Sequence, residues 1–378
     1  MYIFTFLFLF ALALLDITNG GYQHAQKRWY KVLGIIAILW LVVHDGLRWA
    51  VGTDWHEYYS YFISCLSLSN LGEQFEVGYV FLNKAIRLLT NNYTVFLLIH
   101  AIIVYLLIRS SVFKFSPLPF VSLCLFYCLM LGYLGMNRQY IAFAIMIFSY
   151  QYILDKKLLS FLIAMAVASL FHASVLIFLP AYFLKNYISS NTVFISIIAA
   201  FIVSFSGIID SISIVFFDLF GEQTAAKLHH YYALQSSEHG ESINIVNTIF
   251  ALSKRMGLII LTLMLFKPNE RNQPYFNFFF NLYFIALLIY IVFNGSFLQV
   301  VIGRGLMYYN IAEIFLIPFV ILKFKKGFSQ IVLLLLFIGY GWIMIQRGFD
   351  YYKERGKEAF RPYRSVLFDK NHETLNRK

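Results

Sequence analysis

Apolar residues come in blocks along this chain. Blocks of roughly 20 residues recur, each ending in a polar turn, a length that carries a helix across a hydrocarbon core about 30 Å thick. The pattern predicts spans over residues 2–18, 32–45, 92–109, 117–134, 139–154, 158–171, 174–184, 192–208, 246–266, 275–293, 306–322 and 328–345. Backbone polar groups in lipid must be satisfied within the segment, so the expected fold is all-α, a polytopic membrane helix bundle of about 12 spans. The sixth and seventh blocks are short. Residues 158–184 would form one apolar run but for Phe171-His172-Ala173-Ser174. That interruption predicts two short helices, or a hairpin dipping into the bilayer, with His172 at the bend; one tilted helix is the competing expectation.

Charge sorts the connections between blocks. Alternate loops are short and basic, holding Lys27, Arg28 and Lys31; Arg109 and Lys114; Lys156 and Lys157; Lys185; Lys267 and Arg271; and Lys323, Lys325 and Lys326. The short connections on the other side, 135–138 and 294–305, hold one arginine each, Arg138 and Arg304. Basic loops stay on the cytoplasmic side, which places the N-terminus outside. A single integral membrane domain over 1–378 then carries its long segments, 45–91, 209–245 and 347–378, on the outer face. The tail is itself basic, which counts against this orientation, although late segments are often carried across regardless of charge. Met1–Leu15 has the length of a signal peptide but no basic start and no small-residue cleavage site, and reads as a retained helix.

Composition narrows the classes. The chain is 60% hydrophobic and 13% charged, where a soluble chain has about 25% charged residues. The net charge of +11 fits inner loops in contact with membrane lipids and gives no reason to expect a nucleic-acid partner. Cys65, Cys124 and Cys128 form no disulfide framework or zinc-binding spacing, and Cys124 and Cys128 read as small packing residues. There is no Asp-x-Asp pair, phosphate-binding loop or glycine-rich dinucleotide turn, so no metal and no cofactor are expected.

Five clusters could carry chemistry. His44 to Tyr59 mixes Arg48 with Asp45, Asp54 and Glu57, two histidines and several aromatics. Flat rings beside carboxylates suit a sugar; an interfacial aromatic belt is the alternative. Gly135-Met136-Asn137-Arg138-Gln139-Tyr140 puts Arg138 at a helix start, where it could face an anion or simply snorkel to headgroups. His172 lies deep in an apolar stretch, where it is costly and suits proton transfer or phosphate binding, unless it bonds a backbone carbonyl. Lys254-Arg255 sits below the expected surface of the ninth span; neighbours on a helix diverge by about 100°, so one of them, Arg255, is expected to face inward. Gly303-Arg304-Gly305 lets a ligand approach Arg304 closely, or leaves it a plain interfacial arginine. The tail adds Arg361 and Arg364. Guanidinium forks bind two oxygens at once, so arginines gathered on one face with carboxylates and aromatics point to a lipid-pyrophosphate-linked sugar.

The order of these motifs carries a resemblance. Arg48-x-x-Val51-Gly52-Thr53-Asp54, Asn137-Arg138-Gln139, Phe171-His172-x-Ser174, Gly303-Arg304 and Pro362-Tyr363-Arg364-Ser365 occur in that sequence over residues 45–368. The chain resembles the EpsG-like family of bacterial exopolysaccharide and O-antigen (Wzy-type) polymerases. The resemblance implies a GT-C-like, metal-independent glycosyltransferase at the outer face of the bacterial inner membrane. Its substrate would be undecaprenyl-pyrophosphate-linked oligosaccharide, with a chain-length regulator as a further partner. The family's motif positions support Arg48, Asp54, Arg138, His172 and Arg304, while Arg255 and Glu57 rest on depth and spacing. Arg138 and Arg304 are expected on the pyrophosphate with Arg255 assisting, His172 is expected to bond phosphate or relay a proton, and Asp54 and Glu57 to activate or orient the acceptor hydroxyl. Arg48, Arg361 and Arg364 would complete the substrate contacts. A lipid-linked oligosaccharide flippase, an O-antigen ligase and a membrane O-acyltransferase are the competing readings. Long outer loops and a one-sided cluster count against the flippase.

Overall fold

A computed structural model describes residues 1–20, 27–67, 75–209, 211, 245–294, 296, 299–354 and 359–368. The expected outer segment 209–245 lies outside the described residues but for its ends. The described chain is helical, with no strand among these residues. Its helices in order are α1 (Tyr2–Asn19), α2 (Arg28–Gly46), α3 (Trp55–Ser64), α4 (Val77–Leu89), α5 (Tyr93–Phe115), α6 (Pro119–Met130), α7 (Asn137–Leu154), α8 (Leu158–Ser169), α9 (Ser190–Phe205), α10 (Ile245–Leu265), α11 (Pro268–Arg271), α12 (Pro274–Phe293), α13 (Gln299–Asn310), α14 (Glu313–Leu322) and α15 (Phe328–Glu354).

Seven segments among the described residues are long and apolar enough to cross a membrane: Tyr2–Asn19, Arg28–Gly46, Tyr93–Phe115, Thr248–Leu265, Pro274–Phe293, Gly305–Leu322 and Phe328–Asp350. The chain is a multi-pass membrane protein. Shorter apolar helices, together with α7, occupy the other expected blocks, so among the described residues seven of the about 12 expected spans meet both length and apolarity and the other five do not. The Phe171–Ser174 interruption separates two short helices, α8 and a 3-10 stretch over Ala173–Phe183. The expected outer segment 45–91 contains α3 and α4.

Contacts divide the chain into two compact units, one of residues 1–179 with 314–378 and one of residues 180–313. The hydropathy pattern carries no sign of this division. Within the first unit, α1 packs on α6, α2 on α5, and α7 on both α5 and α8. α15 returns against α6, where Gly341 abuts Cys128 and Gly132 abuts Gly348. Small residues let membrane helices approach closely, and Cys128 is buried in that seam as a packing residue. In the second unit α12 packs against α9, α10 and α13.

Polar groups inside the bundle close its helix ends and its breaks. α6 begins at Leu118-Pro119 with no capping side chain of its own. Asp16, fully buried on α1, supplies the cap by accepting the N–H of Phe120 at 2.6 Å and of Val121 at 3.2 Å, and Tyr30 donates its hydroxyl to the same carboxylate. Pro318 lies inside α14 and has no N–H for the carbonyl of Ile314. Ser122 Oγ on α6 donates to that carbonyl at 2.6 Å. A freed carbonyl in an apolar interior needs such a donor, so the proline and the serine work as a pair.

Candidate active site

Two glycines bring the first pair of sequence motifs together. Gly52 and Gly135 both adopt positive φ, at 115° and 106°. A Cβ on Gly52 would lie 2.8 Å from the Cα of Gly135, and one on Gly135 would lie 2.5 Å from the Thr53 nitrogen. Only residues without a Cβ permit this contact. It is closed by Thr53 N donating to the Leu134 carbonyl at 3.1 Å. The segment carrying Asp54, Glu57 and Tyr58 thereby sits on the turn that starts α7 at Asn137-Arg138.

Gly78 brings in the third motif. Its N–H donates to the Leu170 carbonyl at 2.8 Å, and a Cβ there would sit 2.8 Å from the same oxygen. The start of α4 therefore lies against the end of α8, and Glu76, at the N-cap of α4, reaches both Arg138 and His172. Arg138 donates NH1 to Glu76 Oε2 at 2.5 Å and Nε to the Tyr58 hydroxyl at 3.2 Å. The Arg138 guanidinium lies 4.5 Å from the centroid of the Phe75 ring, a cation–π distance. His172 Nδ1 is 3.0 Å from Glu76 Oε1. A carboxylate only accepts, so the imidazole carries its proton on Nδ1 toward Glu76 and turns Nε2 away from it.

Glu76 is held ionised. Burial by itself would raise its carboxyl, but the hydrogen bond from His172, a backbone N–H and the bonded, charged Arg138 outweigh it and hold it at about 2. The Tyr58 phenol is pushed up by burial, against the pull of Arg138, and keeps its proton. Glu76 went unnoticed in the sequence, where it is one acid among several in a long outer segment. Its one signal is the Glu76-Val77-Gly78 start of an amphipathic helix, with a glycine where close approach is needed.

Beneath this constellation lies a buried polar network. Arg48 is 1% exposed. It donates NH1 to the Asp45 carbonyl at 2.6 Å and NH2 to Asn137 Oδ1 at 2.8 Å. Asn137 in turn accepts from His100 at its carbonyl at 2.9 Å and donates Nδ2 to the Tyr93 hydroxyl at 3.3 Å. The Asp45 carboxylate takes His44 Nδ1 at 3.0 Å and the Tyr105 hydroxyl at 2.7 Å. The tail motif docks here too. Trp49 N donates to the Arg364 carbonyl at 3.0 Å, Val366 N to the Leu47 carbonyl at 3.1 Å, and the Tyr363 hydroxyl to the His44 carbonyl at 2.6 Å. Arg48 thus sets the position of Asn137, the neighbour of Arg138, from inside the protein.

The remaining sequence candidates divide as follows. Asp54 is half-buried at the N-cap of α3, and Glu57 is exposed one turn on. Trp49, Trp55 and Tyr58, rings that suit a sugar face, are buried in an aromatic core with Phe62, Phe75 and Tyr93, so most of that cluster packs the fold. Arg361 is exposed, donating to Gln346 Oε1 at 2.5 Å over the Phe349 ring, and Arg364 is exposed. In the second unit Arg255 is buried, donating to Asn310 Oδ1 at 3.1 Å and to the Ala251 carbonyl at 2.9 Å, with its guanidinium 4.3 Å from the Tyr290 centroid. Lys254 also turns inward, pairing with the buried Glu313 at 3.3 Å. Both cations of that pair are therefore taken up by the unit, where helix geometry alone expected one. Arg304 lies on α13, and its side chain is outside the described residues. No group of three or more His, Cys, Asp or Glu among the described residues is placed to hold a metal ion.

The first unit therefore unites Arg48, Asp54, Arg138, His172 and the tail around one edge of the bundle, from stretches far apart in sequence. Compared with known proteins, residues 31–365 match the sequence model of the EpsG family. No curated protein and no solved structure matches the chain.

Proposed function

The chain belongs to the EpsG family, a Wzy-type polymerase-like family of polysaccharide biosynthesis, and on that premise we propose that it is a membrane glycosyltransferase polymerising undecaprenyl-pyrophosphate-linked repeat units. Its working face is the outer face of the bacterial inner membrane, the side to which the charge asymmetry of the loops assigns the 45–91 segment and the turn before Arg138. The observation that carries this reading is the Arg138–Glu76–His172 constellation. It joins a guanidinium suited to phosphate oxygens and an imidazole suited to a proton, both partly exposed.

The reaction moves a growing glycan from its lipid diphosphate onto a sugar hydroxyl of a new lipid-linked unit. Diphosphate is already a good leaving group, so the demand is for stabilising its developing charge. Arg138 supplies this, with His172 receiving the hydroxyl proton and Asp54 and Glu57 orienting the acceptor sugar. Arg361 and Arg364 offer exposed guanidinium groups to the substrate. Arg48 acts from beneath as a positioning residue. Arg255 and Arg304 carry the same chemistry in the second unit, and their substitution tests that unit separately.

Arg138→Ala is expected to abolish long-chain polysaccharide while the protein still inserts at normal levels and single repeat units persist on lipid. A loss of about 10²–10³ in rate is the scale for removing one charge-stabilising donor. Arg138→Lys fails as well if the fork geometry is needed, because lysine is a point charge. Polymer of normal length from both variants sinks the diphosphate assignment. The glycan profile of a strain lacking the chain separates the neighbouring activities. A ladder reduced to one repeat marks a polymerase, loss of all surface glycan a flippase, and untransferred lipid-linked polymer a ligase.

A further inference from the structure

Glu76 occupies the donors that a substrate diphosphate needs. Its Oε2 takes NH1 of Arg138 at 2.5 Å, a charge-assisted bond of about twice the strength of a neutral one. A phosphate oxygen presents the same kind of acceptor to a guanidinium, and the two compete for that N–H. Glu76 does not depend on Arg138 alone. Its other oxygen holds His172 Nδ1 at 3.0 Å, so the carboxylate can lose one partner and keep the second. Arg138 and Glu76 side chains are each 24% exposed and His172 is 18% exposed, so a solute can reach all three.

We propose that Glu76 is a displaceable counter-ion: it fills the diphosphate seat on Arg138 in the resting protein, and once displaced it stays on His172 and orients that imidazole to receive the proton of the attacking hydroxyl. This rests on the polymerase reading. The resting pair keeps a half-buried arginine neutralised between turnovers, and an isolated charge there would be costly. Arrival of the diphosphate exchanges one anion for another. In the transfer itself, the acceptor hydroxyl oxygen bonds to the anomeric carbon of the donor sugar. The bond from that carbon to the diphosphate oxygen breaks, and its electron pair leaves with the lipid diphosphate. The hydroxyl proton passes to His172 Nε2, and the imidazolium is balanced by Glu76 until the proton goes to water. Glu76 is thus a positioning residue, and it contributes oppositely to binding and to turnover.

That opposition makes the test. Purified full-length protein in lipid nanodiscs is titrated with inorganic pyrophosphate, and the variant Glu76→Gln is compared with the wild type. Glutamine keeps an oxygen for His172 but lacks the charge that competes for Arg138. The expected result is pyrophosphate binding about tenfold tighter in Glu76→Gln, equivalent to about 1.4 kcal/mol, and lost in Arg138→Ala. With lipid-linked repeat unit extracted from a strain lacking the chain, Glu76→Gln lowers KM for the donor while kcat falls at least tenfold; a purely structural glutamate would worsen both. Should Glu76→Gln not fold, Glu76→Asp withdraws the carboxylate by one methylene and is expected to tighten pyrophosphate binding likewise. Binding unchanged or weakened in the folded variants overturns the proposal, even if the wild type polymerises. Tightened binding with no polymer from the wild type upholds the counter-ion and rejects the polymerase reading.

Discussion

Two arginines of the first unit have partners that explain their places. Arg138 meets Glu76, Tyr58 and Phe75; Arg48 meets Asn137 and the Asp45 backbone. The difference between them is exposure: Arg48 is sealed in, and Arg138 is open to solute. The Glu76 pairing has a defined acid dependence. Its folded carboxyl is held at about 2, below the ordinary value of 4.5. The unfolded chain therefore binds the proton first, and the stabilisation is full above about pH 4.5 and lost as pH falls toward 2. The difference in melting temperature between wild type and Glu76→Gln is expected to shrink as pH falls from about 4.5 toward 2. Thermal scans in detergent at stepped pH measure it. A difference that does not shrink between about pH 4.5 and 2 contradicts the assignment of Glu76 as ionised.

Helices meet where small residues or polar caps allow it. Asp16 closes the start of α6 from a different helix, and Ser122 takes the carbonyl that Pro318 leaves open. The contact that matters for the site is α4 on the end of α8 through Gly78. Any side chain there meets the Leu170 carbonyl, which is backbone and cannot swing aside. Gly78→Val is expected to push the start of α4 away and lengthen the Glu76–His172 contact. Polymer formation should fall at least tenfold while most of the helical signal survives, because the long spans do not depend on this turn. Circular dichroism beside glycan ladders tests this, and normal ladders from a stable Gly78→Val protein would contradict the placement of Glu76.

Over the whole first unit, the segment 359–368 ties the end of the chain to its beginning. Gly52 N donates to the Ala359 carbonyl at 2.7 Å, the Tyr2 hydroxyl to the Phe360 carbonyl at 2.8 Å, and Arg48 bridges to Ser365. Removing residues 359–378 leaves the 47–52 backbone without these partners and uncovers the Arg48 network. Each buried polar group so orphaned costs about 1–3 kcal/mol. Truncation after Glu358 is therefore expected to lower the melting temperature sharply and to abolish polymer. A truncated protein with wild-type melting and ladders would show the docked tail to be dispensable.

Hydropathy and loop charge, read from the sequence alone, were enough for an all-helical membrane protein with its long polar segments named. Both are local quantities: a block of apolar residues crosses lipid whatever surrounds it, because its backbone bonds close within the helix. The order of short motifs pointed to the family that the match over 31–365 establishes. Which candidate residues meet was decided only in three dimensions. Gly52, Gly135 and Gly78 look like ordinary turn or helix residues in one dimension, yet their missing Cβ atoms permit the contacts that unite Asp54, Arg138, Glu76 and His172. The division into two units, the inward turn of Lys254 and the sealing of Arg48 also follow from packing between distant segments. No residue carries a mark of what it will touch a hundred positions away, and that is why Glu76 became visible only in the folded chain.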